Sequence, residues 1–78
     1  PLTTICFTLP DDGTAVVSVV DLRGRMIRRL VATHLSAGHQ EVSWDGRDER
    51  GVEVPSGVYL ARLEAGGRLS YGKMMLAR

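Results

Sequence analysis

Glycine cuts this chain into pieces too short for long helices. Gly13, Gly24, Gly38, Gly46, Gly51, Gly57 and the pair Gly66 and Gly67 recur at strand-length intervals along 78 residues. Between them lie runs rich in valine and leucine, several of which alternate apolar with polar side chains. Period-two alternation sets one row of side chains against a core. Turn signals every ~8–12 residues then point to an antiparallel sandwich or barrel. The stretch Met26 to Leu35 holds Ile27, Leu30 and Val31 at helix-compatible spacing. It lacks an N-cap and carries β-branched residues, so it reads as strand plus loop.

The first strand runs from Thr3 to Leu9, with Ile5, Phe7 and Leu9 in one row and Thr4, Cys6 and Thr8 in the other. Pro10-Asp11-Asp12-Gly13 forms a tight turn, with Gly13 free to take a positive φ. The second strand, Thr14 to Leu22, directs Ala15, Val17 and Val19 inward. Val16, Ser18 and Val20 point the other way, and the two valines imply that this face is partly covered. Asp21 to Arg25 is a hairpin loop with Gly24 in the left-handed region. The third strand is Met26 to Val31, followed by a looser segment from Ala32 to Ala37. The fourth, His39 to Trp44, aligns Gln40, Val42 and Trp44. Asp45 to Val54 is a polar surface loop with room for one further strand. Pro55-Ser56-Gly57 turns into the fifth strand, Val58 to Glu64, which presents Tyr59, Ala61 and Leu63 on one face. After Ala65-Gly66-Gly67 the last strand spans Leu69 to Ala77. The expected fold is all-β, an antiparallel two-sheet sandwich of about seven strands forming a single domain over residues 1–78. Its expected core is Ile5, Phe7, Val17, Val19, Val42, Trp44, Tyr59 and Leu63. Gly13, Gly24, Asp45, Gly46, Asp48 and Gly57 shape the turns.

Composition narrows the function. Ten basic against nine acidic side chains give a net charge of +1, and nucleic-acid binding needs a basic surplus gathered on one face. The cluster Arg23, Arg25, Arg28 and Arg29 has Asp21 beside it, and arginine dominates the basic residues throughout. With one cysteine, neither an internal disulfide nor a cysteine-based zinc site is expected. No apolar run reaches the ~18 residues of a membrane span. The chain begins at Pro1 without Met or a signal peptide, which reads as a fragment or a processed product.

Candidates for chemistry are few, and no cofactor is expected. The Asp45-Gly46-Arg47-Asp48-Glu49-Arg50-Gly51 loop offers carboxylates that suit Ca²⁺ in type but not in EF-hand spacing. Asp45 and Asp48 read better as acceptors for backbone N–H groups of the turn. Trp44 suits either a sugar-stacking platform or the core, and a sandwich strand favours the core. His34 and His39 flank a loop with no Cys or third His joining them, too few groups for a metal or catalytic site. Ser36, Ser43, Ser56 and Ser70 lack a nucleophile elbow. The chain therefore reads as no enzyme. Cys6, out of phase with Ile5 and Phe7, is a half-buried inert thiol or an interface contact. The first and last strands are the expected sheet edges, and Cys6, Val16, Val20, Met74, Met75 and Leu76 are the possible interface.

The order of the motifs carries a resemblance. Thr4-Ile5-x-Phe7-x-Leu9-Pro10 is followed by Val19-Val20-Asp21-Leu22-x-Gly24-Arg25. Then come Ala37-Gly38-His39, Ser43-Trp44-Asp45-Gly46-Arg47-Asp48-x-x-Gly51, Pro55-Ser56-Gly57-Val58-Tyr59 and Lys73-Met74-Met75-Leu76. This resembles the Ig-like domain of the flagellar hook-capping protein type. It is also similar to the C-terminal sorting domain of type IX secretion cargo. Pro1 matches the end of the proline-containing lead-in of such domains, and Val20 stands where tyrosine is common. The resemblance implies an Ig-like sandwich and a non-catalytic role in an extracellular or cell-surface bacterial setting. The expected role is an accessory module at the C-terminus of a larger secreted protein, serving sorting, surface attachment or spacing. Its partners would be the parent polypeptide or neighbouring domains. The alternative is a self-assembling subunit of an extracellular filament or appendage, the hook cap included.

Overall fold

A computed structural model describes residues 2–78; Pro1, matched above to a lead-in, lies outside the described residues. Six strands follow in chain order: β1 Thr3–Leu9, β2 Gly13–Val20, β3 Met26–Leu35, β4 Gly38–Trp44, β5 Gly57–Ala65 and β6 Arg68–Leu76. They form two antiparallel sheets, β1-β4 and β3-β2-β5-β6. This is the all-β antiparallel sandwich that the alternation predicts, in the Ig-like form that the resemblance implies. The seventh strand expected in the middle loop is reduced to one isolated bridge, Arg47 to Glu53.

The third strand is longer than its sequence suggests. Ala32 to Leu35, read as loop, continue β3 because Val16 to Gly13 of β2 pair with them in register. Two register shifts, at Val17/Ser18 and Val19/Val20, interrupt the ladder. Such bulges bend a strand and increase its twist. They free Leu30 and Ile27 from the strict alternation, and both side chains pack on the core.

The core sits at one end of the sandwich. Val19, Ile27, Trp44, Val54, Tyr59, Ala61, Met74 and Leu76 form one buried cluster, with Ile5 and Leu30 against it. Val17 is also buried, whereas Phe7, Val42 and Leu63 of the expected core are half-buried. Phe7 and Leu63 line a groove left between the two sheets. Trp44 meets Tyr59 edge to face, with ring centroids 5.2 Å apart at 69°. Such a pair contributes ~0.5–1.5 kcal/mol beyond the area it buries. Each ring also finds a partner for its polar atom. Trp44 Nε1 donates to Arg47 O at 3.0 Å, and Tyr59 Oη donates to Pro55 O at 2.6 Å.

Gly13 opens β2 without a positive φ, contrary to its reading as a left-handed turn residue. Gly24 does take a positive φ, +85°. Gly57 is the first residue of β5.

Candidate functional site

The Asp45–Val54 loop uses its carboxylates internally. Asp45 Oδ1 accepts from Arg47 N at 3.1 Å and from the Arg28 guanidinium at 3.0 Å. Asp48 Oδ1 accepts from Arg50 N at 2.9 Å and Val52 N at 3.0 Å. Glu49 Oε1 accepts from Arg29 N, binding the loop to β3. One oxygen of each of these carboxylates is thus used to shape the loop and tie it to β3. Arg78, which sequence reasoning missed, closes the same loop. Its Nε donates to Val54 O at 2.7 Å, one Nη donates to Glu53 Oε2, and the other donates to Gly46 O. Only its position at the chain's end, far from the loop in sequence, concealed it.

The expected interface residues divide. Val20 is 1% exposed, so it offers no surface. It lies on the central strand β2, flanked in register by Met26 and Leu60, which shield both its sides. Met74 and Leu76 belong to the inward row of β6 and are core residues. These three are corrections to the expected interface. Val16 is half-buried, Cys6 is exposed, and Met75 is 67% exposed.

What remains open is the outer row of β6. Register places Leu69, Tyr71, Lys73 and Met75 opposite Glu64, Arg62, Leu60 and Val58. Leu69, Tyr71 and Met75 are exposed, and β6 pairs only with β5. Beside it, between β1 and the β5–β6 hairpin, runs a small apolar groove of ≈ 180 Å³. Ile5, Phe7, Val17, Ala61 and Leu63 line it. A larger cleft of ≈ 570 Å³ at the far end is lined by Leu9, Asp11, Asp12, Thr14 and Arg68. Asp12 there already accepts from Ala37 N at 2.7 Å.

A second cluster lies on the outer face of the two-stranded sheet. Cys6 stands directly opposite Glu41, and His39 opposite Thr8. Sequence reading found no cysteine to join His39; strand pairing supplies one. His39 Nε2 lies 3.2 Å from Glu41 Oε2. His34, on β3 opposite Thr14, is not part of the group.

The fold and these open surfaces define an Ig-like sandwich whose accessible features are a sheet edge and polar strand faces. The family model of the FlgD Ig-like domain matches residues 3–68, and the chain belongs to that family. It is also similar in structure to FlgD from P. aeruginosa, at 25% identity and a TM-score of 0.72. That likeness covers 97% of this chain and 60% of the other. None of the curated proteins matches the chain.

Proposed function

We propose that this chain is a structural, non-catalytic unit of an extracellular bacterial appendage of the flagellar hook-cap kind. It works as a single domain by contact with further copies of itself through the β6 edge. The observation that carries the reading is β6. This nine-residue strand has one free edge, and three of the four residues in its outer row are exposed and apolar. A long apolar edge is a template for another strand. Lys73 is the row's only charge, and a single lysine guards such an edge weakly. The groove between β1 and β6 provides an apolar floor for side chains of an added strand.

Membership of the FlgD Ig-like family and the likeness to P. aeruginosa FlgD support the appendage setting. Neither favours the other reading, a C-terminal sorting or attachment module of a larger secreted protein. Sedimentation over a wide concentration range separates the two. Self-assembly predicts species that grow with concentration from the 8.5 kDa chain, and a Tyr71→Lys/Met75→Lys variant that stays at that mass. A monomer at every concentration would overturn self-assembly and return the accessory module to first place.

A further inference from the structure

The outer face of β1 and β4 carries three metal-ligating side chains of three chemical kinds. Each of Cys6, His39 and Glu41 offers one ligand atom, and these atoms lie within 4.8 Å of one another. The ladder fixes the arrangement. Cys6 and Glu41 are a directly opposed pair, and His39 stands two residues before Glu41 in the same row. Directly opposed residues hold their Cβ atoms ~4.5–5.5 Å apart, so the group is set by backbone pairing and not by loop conformation. The His39 and Glu41 side chains are each 61% exposed, leaving the approach open to solvent.

We propose that Cys6, His39 and Glu41 form a binding site for a zinc-class divalent cation. Thiolate and imidazole select a borderline-soft ion over calcium or magnesium, which take oxygen ligands. Three protein ligands with a fourth position open to water are an established zinc arrangement. Ligand atoms within 4.8 Å of one another approach the spacing that bonds of about 2.0–2.3 Å to one ion demand. The rest of the row is Thr4, Thr8 and Ser43, so no basic side chain in it competes for the carboxylate or repels the ion. Binding replaces the thiol proton with the metal and releases it to solvent. The site lies on the β1-β4 sheet, and Cys6 also borders the groove that β6 lines.

The test uses the whole chain with a phosphine reductant, titrated with Co²⁺ and then with Zn²⁺. The expected result is one cobalt per chain, with visible bands of tetrahedral intensity and an ultraviolet thiolate-to-cobalt charge-transfer band that zinc abolishes. Cys6→Ser removes the charge-transfer band. His39→Gln and Glu41→Gln each weaken binding at least about tenfold, a cost already typical of losing an outer-shell partner. All three positions are solvent-facing, and an unchanged far-ultraviolet spectrum checks that the variants fold. Absence of the charge-transfer band, or equal cobalt affinity in the parent and all three variants, would overturn the site.

Discussion

At Gly46 a backbone demand and a steric one meet. Its φ is +78°, where an L side chain costs ~1–2 kcal/mol. An added Cβ would also stand 2.7 Å from an Arg78 Nη and 3.3 Å from Leu76 Cδ1. Arg78 is the movable neighbour, so Gly46→Ala pushes its guanidinium off the Gly46 and Val54 carbonyls. Gly46→Ala is predicted to lower stability by about 2 kcal/mol, and Arg78→Ala by roughly 1–3 kcal/mol as charged hydrogen bonds are lost. The double variant loses less than the sum, because the first change already breaks the contact. A double-mutant cycle by urea denaturation checks this, and strict additivity would contradict it. The turn at Gly46 was legible from Trp44-Asp45-Gly46-Arg47-Asp48. The Arg78 contact was not, since it joins residues 32 positions apart and no local pattern encodes it.

Among the elements, the β2–β3 hairpin shows how a turn signal becomes an electrostatic one. Asp21 Oδ1 accepts from Arg25 N at 2.8 Å and Arg23 N at 3.0 Å, around Gly24. The Arg25 N–H is the main cause that holds the Asp21 carboxyl below its ordinary range. Partial burial opposes this, while the Arg23 N–H and the two guanidinium charges add to it. The folded pKa is the lower one, so the hairpin's contribution is present above the unfolded value near ~3.9. It is lost as pH falls through the lower folded value. Melting temperature should therefore decline more steeply with acid, over about pH 5 to 2, in the parent than in Asp21→Asn. Parallel curves would contradict the link.

Element boundaries were legible wherever alternation was clean, as in β1 and β5. They failed at the end of β3, where Ala32 to Leu35 is held by pairing with β2 and not by a clear alternation of its own. The Cys6, His39 and Glu41 group escaped for the same reason. Each side chain is ordinary where it stands, and only the register of β1 against β4 brings them together. Val20, Met74 and Leu76 misled in the opposite sense. Their burial depends on which neighbours flank a central strand and which row of β6 turns inward, and strand alternation alone leaves both undecided.

On the scale of the molecule, four strands face two. The smaller sheet covers the end that holds Trp44, Tyr59 and Leu76 and leaves the Arg68 to Lys73 part of β6 exposed. An incomplete sandwich of this kind joins a well-packed end to an open edge, the edge proposed above for assembly. Amide hydrogen exchange along β6, followed as concentration rises, tests that assignment most directly. If β6 is the assembly edge, exchange of β6 amides not bonded to β5 slows as concentration rises, while that of the β3 edge stays constant. Exchange along β6 that is the same at every concentration, or protection that grows at β3 instead, would contradict it.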